Sequence, residues 1–325
     1  MRKTSFNDSW KCWPADRQDQ KIEINLPFDA MLLDDKKENC AGGVNIGWID
    51  ARDYIFEKNF IVPEEWKKCE IIFEFEGVYQ MASVYINGTK VESHSYGYTG
   101  FYVNAGQWIR YGENNTISVR VMNSSQPNSR WYTGTGIYRP VWLYVLSKEH
   151  ICLDGIKITT ADAERRKIRI SVETTTKGVI RFEIRDHNKV IKVIEDETQG
   201  DYETVTELPE THLWSPETPV LYTCRVIYTN ICGETDEESV RFGIRSIECT
   251  PENGFSINGK RVILKGACIH HDNGLLGACA FDFAEKRKVR ILKENGYNAI
   301  RSAHNPCSKA LLDTCDELGM LVVDE

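Results

Sequence analysis

The stretch "NAIRSAHNP", Asn298 to Pro306, decides how this chain is to be read. Ala299 and Ile300 form a short apolar run, Arg301 and His304 follow it, and Pro306 ends it. A short apolar run bounded by turn residues predicts a buried strand. Upstream, residues 284–295 place Val289 and Leu292 on one face and Gly296 as a stop, which predicts a helix. Downstream, residues 308–318 carry Leu311, Cys315 and Leu318 at i, i+4 and i+7, with Gly319 as the stop, which predicts a second helix. "MLVVDE", 320–325, predicts another strand. Before the first helix, "FSINGKRVILKG" (255–266) reads as a hairpin around Asn258-Gly259 followed by an apolar strand, and "ACIHHDNGLLGA" (267–278) as a loop. Strand, helix, strand, helix, strand with short connections is the opening of a parallel α/β unit.

Everything before this unit reads as β structure. Between Lys21 and Ser147, "CEIIFEFEGV" (69–78), "NTISVRVMN" (115–123) and "PVWLYVL" (140–146) alternate apolar and polar residues as half-buried strands do. In "MASVYINGTKV" (81–91), Ala82, Val84 and Ile86 point one way, and Asn87-Gly88 predicts a tight hairpin turn. Many short strands of this kind predict a jelly-roll sandwich over 1–148. Over 149–248, "GIKIT", "KIRISVETT", "VIRFEIRD" and "LYTCRVIYT", with turns at Lys177-Gly178 and Cys232-Gly233, predict an immunoglobulin-like sandwich. "LWSPETPVLY" (213–222) holds two prolines and is expected at an edge or in a loop. The fold class is therefore mainly β, with the first strands and helices of a barrel over 249–325.

Composition narrows the function. The net charge is −8 with no long basic run, which argues against a nucleic-acid partner. No apolar run approaches the ~20 residues of a membrane helix. "MRKTSFNDSW" lacks the apolar core of a secretory signal. The 11 cysteines show no C-x-x-C pair, and reduced thiols and a cytoplasmic location are expected.

Together these segments resemble glycoside hydrolase family 2, the group of bacterial β-galactosidases, β-glucuronidases and β-mannosidases. "FEGVYQMASVYINGTKV" and "NSRWYTGTGIYRPVWL" are similar to its jelly roll. "LWSPETPVLYTCRV" and "RFGIRSIE" are similar to its immunoglobulin-like domain. "NAIRSAHNPCSKALLDTCDELGMLVV" nearly fills its first barrel signature through Asn298, Arg301, His304, Pro306, Asp316 and Gly319, with Asn305 where Tyr is usual. A complete barrel needs about 250 residues, so the resemblance implies the N-terminal part of a longer enzyme. It implies a retaining exo-β-glycosidase, in first place a β-galactosidase acting on terminal β-galactosides or related β-glycosides. It requires no cofactor, and Mg²⁺ or Na⁺ would enter only with the full-length enzyme.

A retaining glycosidase needs two carboxylates about 5–5.5 Å apart. Asp324 and Glu325 are neighbours on a strand and point to opposite faces, so they cannot be that pair. The resemblance places both catalytic glutamates beyond residue 325 and leaves the chain inactive on its own. It gives substrate-binding roles to His270, His304, Arg301 and Glu325. An arginine fork can orient a carboxylate, and an imidazole can give and accept hydrogen bonds with sugar hydroxyls. Trp131 and Tyr132 are candidates to stack on a sugar face, with domain packing as the alternative. Arg130 stands where the family often has Asp, so that hydroxyl contact does not transfer. His270, His271 and Asp272 with His304 invite a zinc reading, but no spaced ligand motif supports it. The aromatics of "YGYTGFYV" (96–103) read as core. An open barrel edge predicts either poor order after about Cys249 or self-association into a homo-oligomer. A non-catalytic carbohydrate-binding or interaction protein is the alternative of a different class.

Overall fold

The computed structural model describes residues 2–325. Its first unit is a two-sheet sandwich. Six strands pair in the order Ile22–Ile24, Trp10–Pro14, Tyr54–Ile61, Asn114–Val121, Ala82–Ile86, Thr89–His94. They face four strands in the order Arg2–Ser5, Val141–Leu146, Glu70–Phe75, Phe101–Asn104. Phe56, Phe73, Phe75, Val84, Ile117 and Val119 meet between the sheets with no exposure. The expected hairpin is present, with Asn87 at φ 50 and Gly88 at φ 82, the two left-handed positions that a tight turn demands.

Val141–Leu146 departs from the expected alternation, since five of its six residues are buried. Its outer face is covered: Tyr144 and Leu146 pack with Leu153 of the next unit. That unit pairs Ile151–Asp162, Lys167–Thr174 and Asp201–Glu207 in one sheet. A second sheet follows the order Lys189–Thr198, Gly178–Asp186, Tyr222–Asn230, Thr235–Phe242. Residues 211–221 form no strand, as their prolines require.

The last unit is a three-stranded parallel sheet, β1 (Gly266–Ile269), β2 (Ala299–Ser302) and β3 (Leu321–Val323), with helices α1 (Asp282–Glu294) and α2 (Lys309–Leu318) in the crossovers. Val289, Ile300, Leu311, Cys315 and Met320 form its core. The strand expected within Arg261–Gly266 forms later, at β1, and Ile263 and Leu264 stay 69% and 45% exposed. The approach to β1 is tied by the backbone N–H and the side chain of Asn298 rather than by a continuous ladder. Asn298 accepts from Lys265 N (2.7 Å) and donates to Ile263 O (3.0 Å). Asn298 thus registers the first barrel strand against the second.

Ser308 caps α2, its hydroxyl accepting from Leu311 N (3.3 Å) and donating to the buried Glu285 of α1 (3.1 Å). Ser308→Ala removes a cap and strips one partner from a buried carboxylate. It is expected to lower stability by about 1–2 kcal/mol, measured from the urea midpoint.

Candidate functional site

At the C-terminal ends of β1 and β2 the chain opens a cleft of about 390 Å³. Its walls come from two units: Tyr98, Arg130 and Trp131 from the jelly roll, His270, His304 and Asn305 from the barrel segment. This is where a barrel places its chemistry, because strand C-termini release side chains from the ladder into loops.

Four of the five expected site residues come from the barrel ends. His304 and Arg301 lie together, with Arg301 Nη2 3.4 Å from His304 Nδ1. The Arg301 fork closes on Glu325, with Nε at 2.9 Å and Nη2 at 2.6 Å from Oε1. His304 Nδ1 sits 3.2 Å from Glu325 Oε2, and donating a proton there leaves Nε2 as an acceptor. Hydrogen bonding from Arg301 holds the Glu325 carboxyl below the usual carboxylate range. Arg301 therefore holds a carboxylate, and that carboxylate is Glu325. Asp324 turns elsewhere and accepts from Cys307 N (3.1 Å). Arg301 and Glu325 form the edge of the site, while His270 and His304 line the cleft itself.

His270 is capped by Trp131. The two rings are parallel within 7° and 3.9 Å apart. Trp131 Nε1 donates to Asp272 at 2.8 Å, which locks the indole over the imidazole. One face of Trp131 is thus already occupied, yet the residue keeps 46% of its surface exposed. Burial lowers the pKa of His270 and favours its neutral form. The ring of His304 stands edge-on to that of His270 at 5.8 Å.

The run His270-His271-Asp272 splays. His271 turns inward, its Nε2 3.1 Å from Thr133 O and its ring against Tyr98 and Tyr138. Burial drives its pKa down to about 4. Asp272 faces Trp131. These side chains have no common focus, and among the described residues no group of three or more His, Cys, Asp or Glu is placed to hold a metal ion.

Two readings of aromatics are corrected. Tyr132 does not offer a stacking face. Its hydroxyl donates to Asp29 at 2.6 Å and its ring packs on Met31, Ile49 and Ala51. Tyr98, read as core, is a wall of the cleft, and Tyr96 is 50% exposed. Gly97 and Gly100 interrupt the alternation, so the strand is only Phe101–Asn104.

The residue that sequence reasoning missed is Asp29. It is 1% exposed and its carboxylate accepts four hydrogen bonds. Oδ1 takes Met31 N (3.1 Å) and Thr135 N (2.9 Å), and Oδ2 takes Tyr132 OH (2.6 Å) and Ala278 N (2.9 Å). Three segments, one of them from the barrel unit, are held at one point. Gly134 (φ 67) and Gly277 (φ 58) permit this approach, since a Cβ would meet Asp29 Oδ2 at 2.7 Å and 2.3 Å. Glu285 anchors the same loop from α1. It accepts from Asn273 Nδ2 (2.7 Å), while Lys288 donates to His270 O (3.3 Å).

This geometry can be set beside known proteins. Three profiles of one family match in series. The sugar binding domain of glycosyl hydrolases family 2 matches 46–147, a further glycosyl hydrolases family 2 model 151–245, and the family's TIM barrel domain 249–325. The chain belongs to glycoside hydrolase family 2. A β-galactosidase of Bacteroides ovatus, BoGH2A, is 32% identical over 93% of this chain and 37% of its own length. A solved family 2 glycosyl hydrolase from Bacteroides cellulosilyticus superposes with TM-score 0.93 at 35% identity, over 100% of this chain and 46% of the other. The β-glucuronidase of Bacteroides uniformis superposes with TM-score 0.85 at 26% identity, over 99% and 42%. The chain thus spans less than half the length of each of these relatives.

Proposed function

We propose that the chain is the front part of a retaining exo-β-glycosidase and builds the sugar-holding side of its active site. One observation carries this reading: His270 and His304 from two barrel strands and Trp131 from the jelly roll converge on one open cleft, beside the Arg301–Glu325 pair. The imidazoles bond to ring hydroxyls, and the free surface of Trp131 meets an apolar C–H face. Arg301 and Glu325 set the position of His304. The acid/base and the nucleophile come from later barrel strands, one protonating the leaving oxygen and the other attacking the anomeric carbon. A terminal β-galactoside is the first substrate to try, following BoGH2A.

Expressing the full-length protein beside the 325-residue chain tests this. Turnover of nitrophenyl β-galactoside with retention of configuration is expected from the former only. Turnover by the 325-residue chain alone would refute the split of the site. A full-length protein that binds sugars yet cleaves no β-glycoside would point instead to a non-catalytic carbohydrate binder.

A further inference from the structure

We propose that Arg130 determines specificity in the cleft by recognising a negatively charged group, a carboxylate or a sulfate ester, on the bound sugar. The proposal rests on the glycosidase reading and adds the substrate's charge to it. Three observations carry it.

The first is the charge inventory. Of the residues that line the cleft, Arg130 alone carries a permanent charge. His270 and His271 are both pushed toward neutrality by burial. The second is that no protein carboxylate serves this cation. Asp272 is engaged by Trp131, Glu325 by Arg301 and His304, and Asp29 by its four donors. Among the described residues, the Arg130 guanidinium has neither a hydrogen bond nor an ion pair. Many surface arginines lack partners, so this alone would decide nothing.

The third observation is rigidity. Asn128 Nδ2 donates to Asn123 Oδ1 (2.8 Å) and to Ser125 O (2.9 Å), and Trp131 N donates to Ser129 Oγ (3.3 Å). Trp131 itself is clamped by His270 and Asp272. The backbone on both sides of Arg130 is therefore held in place, which anchors this side chain at the wall of a cleft whose lining holds no carboxylate. A planar guanidinium pairs with carboxylate or sulfate oxygens through two parallel hydrogen bonds, and such charge-assisted bonds are roughly twice as strong as neutral ones. Hydroxyl recognition needs no permanent charge, and the barrel side of the cleft already offers His270, His304 and Asn305 for it.

Calorimetric binding to the full-length protein tests this without requiring turnover. The probes are galactose, galactose 6-sulfate and glucuronate, with Arg130→Gln and Arg130→Lys. The wild type is expected to bind one anionic sugar about tenfold or more tighter than galactose at low salt, a preference that falls as salt screens the pair. Which anion wins separates sulfate from carboxylate. In Arg130→Gln the anionic-to-neutral ratio collapses toward one, and Arg130→Lys restores part of it. Equal losses for charged and neutral sugars, or no preference in the wild type, would overturn the proposal. Charge discrimination without hydrolysis of any β-glycoside would uphold it and sink the glycosidase reading instead. Hydrolysis with no discrimination would do the reverse.

Discussion

Asp29→Ala is expected to lower stability by about 3–5 kcal/mol and to loosen the cleft as well as the fold. The carboxylate is 1% exposed and accepts from three backbone N–H groups and one hydroxyl. A hydrogen bond to a charged group contributes about 1.5–3 kcal/mol, and each buried donor left without an acceptor costs about 1–3 kcal/mol more. These contributions are not additive within one cluster, so their sum is an upper bound. Asp29→Asn keeps the shape but turns an amide donor toward two donors, and about 2–3 kcal/mol is expected. The damage has a direction. Thr133 O holds His271, Tyr132 adjoins Trp131, and Ala278 follows the loop that carries His270. Hydrogen exchange at the Thr135 and Ala278 amides should therefore accelerate more than exchange in the distant Tyr222–Asn230 strand. A urea midpoint within about 1 kcal/mol of wild type would show that solvent takes over the donors at little cost.

What could be read from residues alone follows the range of the forces involved. Helices α1 and α2, their glycine stops and the Asn-Gly hairpins depend on neighbours a few positions away, and the sequence pattern displays them. Arg301 and His304 were visible because strand, turn and side chains share one nine-residue stretch. Asp29 was not, because its partners are mostly backbone N–H groups, which every residue has, and Ala278 is 249 positions away. Tyr98 was misread because alternation of aromatics is evidence of a strand only while the strand continues. Residues 262–265 read as a strand from their apolar side chains, but they form no continuous ladder, and Val262 and Lys265 are tied by single backbone bonds and by the Asn298 side chain instead. The missing alternation in Val141–Leu146 has the same origin, a second unit covering the outer face. In each case a long-range contact overrode a local pattern.

His271 is expected to cost the chain stability on acidification between about pH 6.5 and pH 4. Its Nε2–H donates to Thr133 O, and its Nδ1 is buried with no partner among the described residues. A second proton on that ring would be a buried cation facing Arg139, and burial holds the folded-state pKa down at about 4. In the unfolded chain the imidazole titrates near its ordinary value, about 6.5. Between those values the unfolded state binds more protons than the folded one, so stability rises with pH across the window and falls as pH drops through it. The full difference is on the order of 3 kcal/mol, at 1.36 kcal/mol per pKa unit, and is reached below about pH 4. Burial raises the pKa of the Asp29, Glu76 and Glu238 carboxyls, which acts in the opposite direction, so the His271 contribution is read from the difference between wild type and a variant. Urea unfolding of His271→Gln at several pH values isolates the effect. The amide can still donate to Thr133 O but cannot titrate, so the variant should start less stable at pH 7 and lose less than wild type down to pH 4.5. Parallel curves for the two proteins would assign the acid sensitivity to other groups and leave His271 as packing against Tyr98 and Tyr138 alone.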